Sequence, residues 1–173
     1  YLALKNSPEF ATYSVAQKKA IENALRDFEL SGIGLSEEKQ KRYGEIVARL
    51  SELSAQFSNN VLDATMGWEK VIEDESELAG LPQSALLAAK QSAESKGLKG
   101  YRFTLEIPSY LPIMTYCENA ALREEMYRAY ATRASDQGPN AGKWDNTAII
   151  EEIMTLRVEL AKLLGFNTYT ERS

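Results

Sequence analysis

The 173-residue sequence contains no histidine. Without an imidazole it cannot form a Ser-His-Asp or Cys-His catalytic centre, nor a zinc site liganded by histidine. It has one cysteine, Cys117. A single thiol excludes an internal disulfide framework and a cysteine-rich metal site, and it fits a reducing compartment. Basic residues are the minority, 20 Lys and Arg against 25 Asp and Glu, for a formal net charge of −5. A nucleic-acid footprint needs a basic surface, so no nucleic-acid partner is expected. Apolar runs are only a few residues long, so no membrane-spanning helix is expected and no membrane partner with it. No low-complexity linker, internal repeat or block of like charge divides the chain.

What is present is a globular composition, 44% hydrophobic, 26% charged and 9% aromatic. The length suffices for one sizeable core. The sequence opens on Tyr1 rather than methionine, with no charged-then-apolar leader, and stops at Thr170-Glu171-Arg172-Ser173, just past the end of a predicted helix. Both ends lead us to expect a piece of a longer chain.

Periodicity supplies the fold class. Residues Tyr1 to Tyr13 carry weak periodicity and a proline, and their structure is left open. Ser14 and Gln17 form a capping box ahead of the apolar set Ile21, Ala24, Leu25 and Phe28, with Gly32 and Gly34 as the stop. Ser36 restarts a helix whose stripe is Tyr43, Ile46, Val47, Leu50, Leu53, Phe57 and Val61, reaching about Met66. This is one helix of about 30 residues and about 45 Å. Glu37–Lys41, Glu38–Arg42 and Glu45–Arg49 are expected to pair at i,i+4 on its wet side. Alternation of Tyr101, Phe103, Leu105 and Ile107 with Arg102, Thr104 and Glu106 predicts a strand over 100–107, and Trp68 to Ile72 a second. A helix between them starts with Pro82 at its first position and ends at Gly97. Further helices are predicted from Ser109 to about Cys117 with Pro112 near the start, after Asn119 with Glu124–Arg128 on its exposed face, and after Asp145 or Asn146. The last carries the stripe Ile149, Ile153, Leu156, Leu160, Leu163 and Leu164 and stops at Gly165. The expected class is mainly α: an array of packed helices with one long helix and a small two-stranded element at 68–72 and 100–107.

Four constellations bear on chemistry. Gly138 to Lys143 departs twice from a phosphate-binding loop, with three residues between its glycines and Trp144 in place of the hydroxyl that would hold Mg²⁺. It reads as a surface loop. Glu124-Glu125 and Glu151-Glu152 are adjacent helical positions that diverge by about 100°. Neither makes a joint acid–base site, and the second pair complements a helix dipole. Cys117 has no base to activate it and reads as a small buried residue. Tyr110, Tyr116, Tyr127 and Tyr130 cluster with Arg123, Arg128 and Arg133 across one helical hairpin, as either packing or recognition surface. No catalytic, metal-binding or cofactor-binding residue is assigned, and peptide-binding residues stay unknown.

Several stretches are similar in wording to one family. They are Ala24 to Leu35 (ALRDFELSGIGL), Leu50 to Leu53 (LSEL), Phe57 to Thr65 (FSNNVLDAT), Ile107 to Pro112 (IPSYLP), Ala121 to Tyr130 (ALREEMYRAY), and Leu156-Arg157 through Ala161 to Phe166 (AKLLGF). In this order they resemble the thimet oligopeptidase family of zinc metallopeptidases, from about Ala16 onward. The resemblance implies a cytoplasmic, mostly helical hydrolase of two lobes around a deep channel that admits short peptides. It implies zinc held by a His-Glu-x-x-His helix and a further glutamate, with the intervening glutamate activating water. No residue here matches that motif, so no role is carried over. The chain resembles the part of the N-terminal lobe that precedes the catalytic region. Residues 1–173 are then expected to be one helical region without zinc of its own or peptidase activity. Its partners would be the remaining polypeptide and short peptides in the parent enzyme. Exposed apolar surface predicts self-association when it stands alone. The competing reading is a helical adaptor or peptide-binding module without chemistry.

Overall fold

The computed structural model describes residues 1–173. The chain forms two compact units, Tyr1–Leu53 with Glu151–Ser173 and Ser54–Ile150. Eight α-helices and two strands place it in the expected mainly α class.

The first unit begins on the segment that periodicity leaves open. It forms a single helical turn, α1 (Leu2–Lys5), and a 3₁₀ turn over Pro8–Thr12. α2 (Val15–Leu30) starts at the expected capping box, with the Gln17 amide donating to Ser14 Oγ and the Ser14 amide to the Gln17 side chain. Its end is set by Gly32, whose φ of +77° is left-handed and whose missing Cβ leaves room for the Tyr43 ring. α3 (Glu37–Met66) is the long helix, at 30 residues. In this unit its first half buries Ile46 and Leu53, the later turns of α7 (Thr147–Leu163) bury Leu156, Leu160 and Ala161, and α2 buries Ile21. Each large aliphatic side chain so buried stabilises the fold by about 1.5–3 kcal/mol.

Charge pairing departs from the expected i,i+4 pattern. Arg42 Nε donates to Glu159 at 2.6 Å, and Arg49 Nε to Glu152 at 2.6 Å. Second bonds from the Nη2 atoms, 2.8 and 2.9 Å long, close both forks. Arg42 also reaches Glu45, and Arg49 reaches Glu52. The arginines stand one heptad apart on α3 and the glutamates one heptad apart on α7. Residue numbers rise along one helix as they fall along the other, so the two run antiparallel. A planar guanidinium meets a carboxylate with two parallel bonds across a helix interface, a geometry stronger than a single i,i+4 contact. The carboxylates Glu152 and Glu159 are accordingly held below their ordinary range by the facing arginines. Beyond Gly165, Thr168 and Glu171 make a second capping box that starts a four-residue turn, α8 (Tyr169–Arg172). The residues expected to lie past the last helix therefore begin another.

In the second unit β1 (Glu69–Ile72) pairs antiparallel with β2 (Tyr101–Thr104), Glu69 opposite Thr104 and Ile72 opposite Tyr101. β2 is shorter than the expected 100–107. Pro108 belongs to the first turn of α5 (Ile107–Tyr116), where its fixed φ suits a helix. The Thr104 amide donates to Ser109 Oγ at 2.9 Å, which turns the chain out of the ladder. Because α5 starts two residues earlier than expected, Pro112 falls inside it. The bond lost is to the carbonyl of Pro108, an exposed residue. α4 (Gln83–Glu94) packs on β2, with Pro82 as its cap rather than its first residue. Asn119 caps α6 (Ala120–Ala131) by accepting the Leu122 amide, and the expected Glu124–Arg128 pair does not form, Glu125 binding Lys70 instead. Phe103, Leu105, Ile113 and Met126 are the centre of this unit's core, each at most 2% exposed.

Asp145 and Asn146 stand as alternative caps in the sequence, and the structure gives each a task. Asp145 accepts the amide and hydroxyl of Thr147 at 2.8 and 2.6 Å, which holds its carboxyl below the usual range. Asn146 is only 2% exposed. Its Nδ2 donates to the Phe57 carbonyl at 3.2 Å, and its Oδ1 accepts from Asn60 at 2.8 Å.

Two predictions follow from these contacts. Asn146→Ala removes both hydrogen bonds and leaves the half-buried Asn60 amide unpaired, and should lower the unfolding free energy by about 1–3 kcal/mol, read from the urea midpoint. Glu152 and Glu159 have depressed folded-state pKa values, so their stabilisation is complete above the ordinary glutamate range and is lost as pH falls through the folded values. The thermal midpoint of the Glu152→Gln, Glu159→Gln variant, followed by circular dichroism, should therefore depend less on acid than that of the parent. Equal acid sensitivity in both would remove this role for the two arginine–glutamate pairs.

Candidate functional site

The residues that sequence reasoning singles out separate into packing groups and solvated ones. Tyr110 and Tyr130 stack with centroids 4.2 Å apart and planes 15° from parallel. The Arg133 guanidinium carbon stands 3.6 Å from the Tyr130 centroid. Two planar groups this close to one ring occupy its opposite faces, so Tyr130 is sandwiched. Arg133 is fixed further by donating to the Tyr130 carbonyl and to Thr65 Oγ1, each at 2.9 Å. Burial raises the Tyr110 phenol above its ordinary range. Arg123 donates to the Cys117 carbonyl. Tyr116 and Tyr127 stand outside this group, exposed at 53% and 59%, and Arg128 is also exposed. The tyrosine–arginine cluster is thus half a packed joint and half free surface.

The other constellations are pulled apart. Glu125 binds Lys70 at 2.8 Å and Glu152 binds Arg49, while Glu124 and Glu151 face solvent. Cys117 is 3% exposed, and its thiol faces the Glu77 carbonyl with no base beside it. In the loop from Gly138 to Lys143, the lysine ammonium lies 4.3 Å from the Trp144 ring, so it is turned onto an aromatic face rather than into the loop. Trp144 itself rests on Gly67, where an added Cβ would come within 2.1 Å of the indole.

A zinc ion asks for three or four converging nitrogen, sulfur or carboxylate donors. These residues do not fit one. Histidine is missing, the single thiol is buried against a carbonyl, and no three Asp, Glu or Cys side chains converge. No step of peptide hydrolysis can be assigned to a metal held by them.

Sequence reasoning missed one feature. A cavity of about 180 Å³ lies between α4, β2 and α5, lined by apolar groups together with Arg102, Ser92, Glu106 and Ser109. The alternation of β2 places Arg102 on a wet face. In the structure its side chain is only 15% exposed, with Nε donating to Glu69 at 2.7 Å and Nη1 to Ser92 Oγ at 2.9 Å. The signal available was the alanine-rich run Ala85 to Ala89 on α4, small side chains that leave room beside a strand.

Comparison with known proteins accounts for this pattern. Residues 113–173 match Peptidase family M3, and residues 1–40 match the Neurolysin/Thimet oligopeptidase N-terminal domain. The chain is 87% identical to oligopeptidase A of Haemophilus influenzae over 173 residues, all of this chain and 25% of that protein. It is 69% identical to oligopeptidase A of Escherichia coli over the same share of each. It is 45% identical over 180 residues to the organellar oligopeptidase A of Arabidopsis thaliana, covering 22% of that relative. The chain thus spans about a quarter of the length of these relatives. Its two ends thus match models of peptidase family M3 and of the thimet oligopeptidase N-terminal domain, and all of its residues align with one stretch of its bacterial relatives.

Proposed function

We propose that this chain is part of the N-terminal lobe of a zinc-dependent peptidase that hydrolyses short peptides, and that it supplies framework and one wall of the peptide channel. The observation that carries the reading is a full-length match to proteins called oligopeptidase A by a chain with no histidine. The likeness runs along all of this chain and about a quarter of those proteins, while the chain offers no histidine to a metal. The zinc ligands and the water-activating carboxylate then come from the remaining polypeptide, which is the principal partner of this segment. Exposed Tyr116, Tyr127 and Leu111 lie outside the core and offer amphipathic and apolar surface suited to a peptide or to the rest of the enzyme. No helix is long and apolar enough to cross a membrane. A cytoplasmic setting accords with that and with the lone buried thiol.

The purified 173-residue chain should show no turnover of a quenched fluorescent peptide with zinc added. Turnover that a chelator abolishes and that survives further purification would overturn the reading. A second expectation concerns surface. Leu2, Ile33, Leu62, Met66 and Met154 are each more than half exposed. Apolar surface of this kind associates in water when nothing covers it. The average mass by light scattering should therefore rise with concentration, and a constant monomer mass would count against a missing partner.

A further inference from the structure

The cavity between α4, β2 and α5 has the make-up of a small-molecule site. Ala85, Ala88 and Ala89 from α4, Phe103 from β2 and Pro112 from α5 give it apolar walls. Groups of opposite charge line the same space, Arg102 on β2 and Glu106 at the cap of α5. A guanidinium has five N–H donors. Those of Arg102 engage Glu69 and Ser92, and the other three make no hydrogen bond within the chain. Ser92 Oγ accepts from Arg102 and keeps its own hydrogen to donate. Glu106 accepts the Thr104 hydroxyl at 3.2 Å through Oε2 and leaves Oε1 open. Pockets of this kind bind through apolar walls and take their specificity from a few placed polar groups.

We propose that this cavity binds a free α-amino acid with an apolar side chain. The ligand carboxylate meets Arg102 and Ser92, its ammonium meets Glu106, and its side chain lies against Phe103 and the alanines. A volume of about 180 Å³ suits a ligand of amino-acid size. The polar groups set the class: Glu69 already pairs the charge of Arg102, but its free N–H donors suit a carboxylate and the open Oε1 of Glu106 suits an ammonium, so a zwitterion engages both and a singly charged molecule only one. The inference rests on the cavity and stands whether or not the peptidase reading does.

Titration of the ¹⁵N-labelled chain tests it, with L-leucine, N-acetyl-L-leucine and L-leucinamide as probes and the amides of Ser92, Arg102, Glu106 and Ser109 as reporters. L-leucine should give saturable shifts at these positions. Each analogue lacks one charge and should bind roughly tenfold more weakly or worse. Ala88→Leu, at an exposed helix position, should fill the cavity and abolish saturation while the spectrum stays folded. Glu106→Gln should weaken L-leucine and leave N-acetyl-L-leucine unaffected. No saturable shift up to the solubility limit, equal responses to all three probes, or unchanged binding in Ala88→Leu would each overturn the proposal.

Discussion

A 30-residue helix with an apolar stripe along its length cannot stand alone in water. α3 is that helix, and packed neighbours cover its stripe. In the first unit its Ile46 and Leu53 are buried in company with Leu156 and Leu160 of α7. In the second unit its Ala64 is buried, and Phe57 and Asn60 meet the residue that precedes α7. Apolar burial supplies most of the stabilisation, but it is non-directional and does not by itself fix how two helices align.

Polar groups supply that direction. The two arginine–glutamate forks repeat with the heptad, so a slide of one helical position would break both. They are half-exposed, and their part is alignment more than strength. Asn146 does the same from inside. A buried amide with two fixed partners tolerates one placement, because an unmet buried polar group is costly. In the second unit, the Thr104–Ser109 bond and Pro108 decide where the strand ends and α5 begins. That bend also brings Glu106 to the cavity that Arg102 lines.

The chemistry of the chain follows from what these helices do not carry. Groups that could serve in catalysis are committed to packing or pairing, as with Glu152, Glu125, Cys117 and the sandwiched Tyr130. In the proposed enzyme its role lies in holding surfaces for the remaining polypeptide.

Local physics was open to reading in the amino-acid sequence alone. The capping box at Ser14, the span of α3, the cap at Asn119 and the antiparallel-compatible strand segments all depend on neighbours within a few residues. The missing histidine likewise excluded a histidine-liganded zinc site before any fold was known. The tertiary structure decided everything that depends on residues distant in sequence. Arg42 and Arg49 give two-bond forks to Glu159 and Glu152 and only single bonds to the nearer Glu45 and Glu52, because facing helices let a planar guanidinium meet a carboxylate edge to edge. Asn146 turned inward because Phe57 and Asn60 awaited it there. The end of β2 and the place of Pro112 were set by where α5 could start. The cavity beside Arg102 exists because α4 presents alanines to a strand, a juxtaposition that no local pattern encodes.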